Sequence, residues 1–262
     1  MSQLIFTRYL YSVDEVIHSL LLCLLEKKSF QKCLFWVSEL YYSKFYQLTW
    51  DFIYQTYYDF YAITNPKFEK YIYKCNKKWI NKNEISHIIN AINVLYYATD
   101  ISNIVFKLRT SKIVSPKKIY LKSPKWIRKL NLSKKEQVFI QSLDKGVQND
   151  TAFYFSQIPD IKRCEFIIKE YMELKLEVLA GPGIHNNSLY RDIQHMTLST
   201  ICWIMNTSYK VNKRLIKKKI KQDDLNFIQT TNQQANEIRL TLKEKRKFSI
   251  EPGIGFFNNN RI

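Results

Sequence analysis

Glycine is scarce in this 262-residue chain, which contains five glycines, the first of them Gly146. Tight hairpins, barrel corners and phosphate-binding loops need backbone conformations that glycine adopts at little cost. An all-β fold or a nucleotide-binding α/β fold would need to form 145 residues without one, so we expect neither. Because 46% of the residues are apolar, the chain can bury a core, which excludes a disordered basic tail.

Apolar residues recur at helical spacing along most of the chain. Val13 to Leu24 give a first helix and Ser29 caps a second, and the short connection between them predicts an antiparallel hairpin. Further helices are predicted at about 48–61, 66–80, 84–97, 100–109, from 133, 160–179, 188–208 and 211–247. We therefore expect an all-α fold of helical hairpins, stacked as a bundle or a short irregular solenoid.

Shifts in composition predict four regions. These are an aromatic-rich helical region at 1–110, a basic Pro/Lys loop at 111–132, a helical region with a basic amphipathic helix at 133–247, and a flexible tail at 248–262. The basic loop is expected to separate two helical halves. No apolar run is long enough to cross a bilayer, and the N-terminus lacks the order of a signal peptide. Five widely spaced cysteines are typical of reduced core thiols.

The motifs of several common enzyme classes are missing from the sequence. There is no Gly-x-x-x-x-Gly-Lys-Ser/Thr, His-Glu-x-x-His, Gly-x-Ser-x-Gly or paired Cys-x-x-Cys. His195 and Cys202 share a helical face downstream of His185, but a buried Cys and a partly exposed His need no zinc to explain them. We expect a protein that is not an enzyme, with no metal and no cofactor.

Aromatic residues are concentrated between residues 35 and 79, where 17 of 45 are Phe, Tyr or Trp. They surround most of the third helix, so the helix is either central or presents tyrosines to a partner. The sequence predicts a protein interface formed by Trp50, Tyr54, Tyr57, Tyr58 and Tyr61. Core packing and base stacking are the alternatives.

The net charge of +18 is concentrated in two windows without acidic residues. Residues 101–135 contain 11 Lys and Arg and residues 193–222 contain seven, while the rest of the chain is balanced. Such windows favour contact with nucleic-acid phosphates, although a lysine-rich surface arising from codon bias is the alternative. The predicted nucleic-acid-binding residues are Lys112, Lys117, Lys118, Lys122, Lys125, Arg128, Lys129, Lys210, Lys213, Arg214, Lys217, Lys218 and Lys221.

Several segments of the first 110 residues share an unusual order of aromatic and acidic residues. Segments 14–28, 34–43, Tyr57–Tyr61, 65–67 and 104–109 together resemble the N-terminal region of uncharacterised proteins encoded by large nucleocytoplasmic DNA viruses, the giant viruses. The resemblance spans about residues 10–110. It implies a viral protein of the infected-cell cytoplasm, the viral factory or the virion. It implies no catalytic residue, because the family has no assigned activity.

These observations predict a helical protein that binds nucleic acid through its basic surfaces, largely independently of sequence. Its aromatic surface is expected to contact protein partners, which would be other viral proteins. The alternative is a structural or scaffold component of the virion that does not bind nucleic acid.

Overall fold

The protein is all-α. The computed structural model describes residues 5–116, 125–128, 130–176, 181–183, 189–206 and 218–249, and these ranges contain helices and no strand. The helices are α1 (Val13–Leu25), α2 (Phe30–Tyr42), α3 (Tyr46–Thr56), α4 (Phe68–Lys82), α5 (Ile85–Tyr96), α6 (Ile104–Thr110), α7 (Lys125–Arg128), α8 (Lys134–Asp144), α9 (Gln148–Ser156), α10 (Ile161–Tyr171), α11 (Ile193–Met205) and α12 (Gln222–Ser249). Two π-helical turns, Tyr57–Tyr61 and Met172–Leu176, continue α3 and α10.

Local signals placed most of these helices correctly. Ser133 and Glu136 form the capping box expected from their spacing, and each bonds the backbone N–H of the other. The predicted helix over 211–247 is wrong at residues 218–221, which are not helical, since α12 begins at Gln222. The short α9 was not predicted, because its polar and apolar residues are not separated onto two faces.

The chain forms two compact units, and the division falls inside α3. Unit 1 comprises residues 1–49 and 219–262, and unit 2 comprises residues 50–218. The division predicted from sequence, at the basic loop 111–132, does not match these units. Helices on both sides of that loop share one core in unit 2, where Ile63 and Val105 pack with Phe139, Ile167 and Trp203.

Unit 1 is built on the hairpin of α1 and α2, against which α12 packs. Ser12 caps α1 by accepting a hydrogen bond from the Glu15 N–H at 3.2 Å. Lys27 takes a left-handed backbone conformation in the connection between the two helices, with φ of 52°. The expected helical hairpin is therefore present.

Helix α11 is the centre of unit 2. It packs against α6, α8, α9, α10 and the π-helical turn Tyr57–Tyr61, and every residue from His195 to Ile204 is buried. Gly181 packs so closely against this helix that a side chain would not fit. A Cβ at this position would lie 2.4 Å from the Trp203 ring. Helices α4 and α5 form a second hairpin, and the left-handed Asn83 ends α4.

No helix in the described ranges is long and apolar enough to cross a membrane.

Candidate nucleic-acid interface

The aromatic residues predicted to form a protein interface are buried. Relative exposure is 2% for Trp50 and 0% for Tyr54, Tyr57, Tyr58 and Tyr61, so the predicted interface is wrong for these five side chains. Their burial is possible because the phenols find partners within unit 2. The Tyr58 hydroxyl donates to Glu69 Oε1 at 2.7 Å, and the Tyr54 hydroxyl accepts from Asn76 Nδ2 at 3.3 Å.

The predicted basic residues are only partly within the described ranges. Lys117, Lys118, Lys122, Lys129, Lys210, Lys213, Arg214 and Lys217 lie outside them, as does the side chain of Arg128. Lys112, Lys125, Lys218 and Lys221 are exposed. The Lys218 ammonium lies 4.3 Å from the centre of the Tyr97 ring, and the Lys218 N–H donates to Asn93 Oδ1 at 3.3 Å.

The predicted basic amphipathic helix is wrong where the structure describes it. Residues 218–221 are not helical, and the Lys221 N–H donates to Asp224 Oδ2 as the chain enters α12. The acidic residues that begin α12 stabilise its N-terminus by interacting with the helix dipole. Lys218 and Lys221 therefore do not belong to one helical face.

A row of lysines on α4, which the charge windows did not reveal, forms a continuous exposed stripe. Lys70, Lys74, Lys78 and Lys82 follow one another at four-residue spacing, and Lys77 adjoins Lys74; all five are exposed. A rise of about 1.5 Å per residue gives the stripe a length of about 18 Å. No ion pair joins these five ammonium groups to a carboxylate of the described residues. We call this row the lysine stripe.

Glu69 is the acidic residue of α4, and it faces inward. It is 1% exposed and accepts hydrogen bonds from the Tyr58 hydroxyl and, at 2.8 Å, from the Gly183 N–H. The Glu69 carboxylate therefore bonds partners inside unit 2, while the lysines of the same helix face solvent. A count of charges along the chain treats Glu69 as an opposing charge, and this conceals the stripe.

The positive field of the stripe reaches His87 at the start of α5. Burial lowers the pKa of His87, and Lys78 and Lys82 lower it further, against the opposing effect of Glu84. The Nε2 atom of His87 lies 3.6 Å from a Glu84 carboxylate oxygen. Lys78 and Lys82 therefore lie close enough to His87 to act on its pKa.

A second cluster of charged residues lies inside unit 2, around Asp59 in the π-helical turn. Arg109 donates two hydrogen bonds to its carboxylate, at 3.1 and 2.6 Å, and His195 Nε2 lies 3.0 Å from Oδ1 without the alignment of a hydrogen bond. The other ring nitrogen of His195 is 2.8 Å from the Tyr190 hydroxyl. Asp59, Tyr190 and His195 are buried, whereas the Arg109 side chain is 32% exposed. We call these four residues the Asp59 network.

The pKa shifts in this network favour a structural role. Burial acts to raise the pKa of Asp59, but His195 and Arg109 outweigh it and hold that pKa below its usual value. The hydrogen bond to Asp59 raises the pKa of Arg109. Burial raises the pKa of Tyr190, with Asp192 and Asp59 adding to the effect. A lowered pKa is one of the routes by which a nucleophile is activated, and Tyr190 does not have it.

Metal binding by His195 and Cys202 has no support in this geometry. Both ring nitrogens of His195 contact Asp59 or Tyr190, and burial raises the pKa of the Cys202 thiol to about 12. His185 lies outside the described ranges. Within those ranges no three His, Cys, Asp or Glu side chains come together as a metal site.

Comparison with known proteins gives no relative. No family model matches the chain, and no curated protein or solved structure is similar to it. The resemblance to giant-virus proteins stays a prediction.

Proposed function

We propose that this protein binds nucleic acid without sequence specificity, through phosphate contacts made by the lysine stripe of α4. The observation that carries the proposal is that five exposed lysines lie on one helix whose carboxylate, Glu69, is buried and engaged. Exposed unpaired lysines attract a polyanion at long range and release its condensed counterions on contact.

The length of the stripe suits a nucleic-acid backbone. Along the axis of B-DNA each strand carries a phosphate about every 3.4 Å, so a stripe of about 18 Å spans roughly five base-pair steps. All of its cations are lysines, which act as compact point charges and lack the planar fork with which arginine reads guanine. This chemistry supports contact with the backbone over readout of bases.

The basic residues predicted from sequence complement the stripe. Exposed Lys112 and Lys125 lie after α6 in the acid-free window of residues 101–135. Non-enzymatic binding of this kind also fits the viral setting that the resemblance implies. The scaffold alternative depended on an exposed tyrosine surface, and the burial of the five aromatic side chains removes the observation that favoured it.

The test compares two variants that lose the same charge. The double variant Lys74→Gln/Lys78→Gln interrupts the stripe, and the control Lys162→Gln/Lys169→Gln removes two exposed lysines from α10. Affinity for a duplex DNA and for a single-stranded RNA is measured by fluorescence anisotropy over a series of salt concentrations.

Loss of two phosphate contacts lowers the slope of log affinity against log salt by about 1.8 for duplex DNA. We expect that change in the stripe variant, with weaker binding to every sequence, and affinity close to wild type in the control. Equal loss in both variants would show that net charge alone controls binding, and no loss in either would refute the stripe as the site.

A further inference from the structure

Unit 1 contains a half-open cavity that combines an aromatic wall with a basic rim. Its volume is about 580 Å³, within the range of roughly 300–1,000 Å³ common for small-ligand sites. The aromatic lining is Tyr11, Phe35, Trp36 and Phe227; the polar lining includes Ser19, Ser29, Gln31, Lys28 and Lys32. We call it the unit 1 cavity.

The aromatic wall is held by packing between its own rings. The Trp36 ring lies 4.8 Å from the Phe35 ring and 5.2 Å from the Tyr11 ring, both near perpendicular. Edge-to-face packing of this kind fixes the plane of the indole. The three side chains are half-buried, so the wall keeps apolar area next to the cavity. The half-buried indole of Trp36 offers a planar face on which an aromatic ligand can stack.

The lining of the cavity also includes positive and polar groups. Lys32 is exposed and makes no ion pair with a described carboxylate, whereas the Lys28 ammonium contacts Glu26 at 2.9 Å. Ser29, the N-cap residue of α2, makes no side-chain capping bond, so its hydroxyl is available beside the first turn of a 13-residue helix. Lysine, hydroxyl and helix N-terminus together favour an anionic group.

A buried ion pair connects elements that form this cavity. Arg8 Nε lies 2.8 Å from Glu39 Oε2 on α2, and Arg8 Nη1 donates to Asn232 Oδ1 on α12. The Tyr9 hydroxyl donates to the Thr231 carbonyl at 2.9 Å. These contacts tie the N-terminal segment, which includes Tyr11, to α2 and to α12, which includes Phe227.

We propose that the unit 1 cavity binds a nucleotide, with the base against Trp36 and the phosphate near Lys32. Volume, aromatic wall and basic rim each match one part of that ligand. The same chemistry is offered by a free mononucleotide and by one nucleotide of a single strand. The cavity uses none of the α4 lysines, so it stands independently of the lysine stripe.

The experiment titrates full-length protein with adenosine 5′-monophosphate by isothermal calorimetry, and in parallel with adenosine, inorganic phosphate and a short oligo(dT). We expect the monophosphate to bind more tightly than adenosine or phosphate. Binding of oligo(dT) with no binding of the monophosphate would assign the site to a strand, provided that Trp36→Leu abolishes it. The proposal would be overturned if none of the four ligands bound. It would also be overturned if inorganic phosphate bound as tightly as the monophosphate.

Single substitutions test the contacts to the base and to the phosphate separately. Lys32→Gln is expected to weaken the monophosphate about tenfold and leave adenosine unchanged, while Trp36→Leu weakens both about tenfold. Because Trp36→Leu could disturb packing, Leu22→Glu is a second probe: Leu22 lines the cavity and is 47% exposed, so a carboxylate there repels the phosphate without core damage.

Two controls complete the design. Lys44→Gln removes an exposed lysine of unit 1 that does not line the cavity, and it should bind the monophosphate as wild type does. Lys74→Gln/Lys78→Gln should also leave monophosphate affinity unchanged, so a failure of the lysine stripe and a failure of this cavity give different results. An unchanged affinity in Lys32→Gln and Leu22→Glu together would contradict the proposal.

Discussion

Unit 2 carries charge in two places that differ in exposure and in pairing. The lysine stripe of α4 is exposed and has no carboxylate partner in the described structure, whereas the buried Asp59 of the Asp59 network accepts two hydrogen bonds from Arg109. Removing one member of a buried pair leaves an uncompensated charge, whereas removing an exposed lysine changes little besides the local potential. We therefore expect substitutions in the stripe to affect binding and substitutions in the network to affect stability.

The largest expected effect comes from breaking the network. Asp59→Ala leaves Arg109 and buried His195 without their carboxylate, and we expect the free energy of unfolding to fall by about 3 kcal/mol. Urea unfolding followed by circular dichroism measures this loss. The control Glu173→Ala removes an exposed carboxylate and should change stability by less than about 0.5 kcal/mol. Similar losses in both variants would mean that the network does not stabilise unit 2.

Acid should weaken the network in the wild-type protein. The folded-state pKa of Asp59 lies below its ordinary value of 3.8, so its stabilising contribution is complete above that value and is lost as the pH falls through the folded-state pKa. We expect the free energy of unfolding to decrease between pH 5 and pH 2. The decrease should be smaller in Asp59→Asn, which has no carboxyl to protonate.

Glu136 should account for part of the acid sensitivity that remains in Asp59→Asn. Burial acts to raise its pKa, but Arg163 and Ser133 outweigh burial and lower it. The pH series is measured by urea unfolding in constant ionic strength for wild type and Asp59→Asn. An identical pH dependence in the two proteins would exclude Asp59 as a source of acid sensitivity.

The smallest expected effect comes from changing the charge at one exposed and one buried position of α4. Asn81→Asp places a carboxylate on the exposed surface among the lysines and should weaken duplex binding about threefold. Glu69→Gln removes a carboxylate of the same helix that faces inward, and binding should stay within about twofold of wild type. Fluorescence anisotropy at one moderate salt concentration measures both. A larger effect at Glu69 than at Asn81 would show that exposure does not decide which charges act on the ligand.

Helix positions could be predicted from the sequence because their signals are local. The capping box of Ser133 and Glu136 and the apolar spacing of α1 and α2 involve residues within one or two turns. The lysine stripe has a local signal as well, since its four-residue repeat can be read along α4. It was missed because a net-charge window averages Glu69 with the lysines and does not record which face each occupies.

Burial of the aromatic residues could not be predicted in the same way. Tyr54, Tyr57 and Tyr58 surround a helix, and such a pattern fits a central helix and an exposed interface equally well. In the structure the Tyr190 ring covers two of them, because its centre lies 5.5 Å from that of Tyr54 and 5.2 Å from that of Tyr58. The helix is therefore central at these positions. The aromatic side chains beside the unit 1 cavity were likewise not separable from core residues by spacing alone.

The sequence by itself determined that this protein is all-α, where most of its helices begin and end, and that its charge is strongly positive, because spacing, caps and composition are local quantities. Only the tertiary structure decided which charged side chains are buried and which partners they bond. Glu69 is drawn inward by Tyr58 and by Gly183, a residue 114 positions away, and Asp59 meets Arg109 at a separation of 50. Contacts over such distances depend on packing of whole helices, so no local pattern reports them.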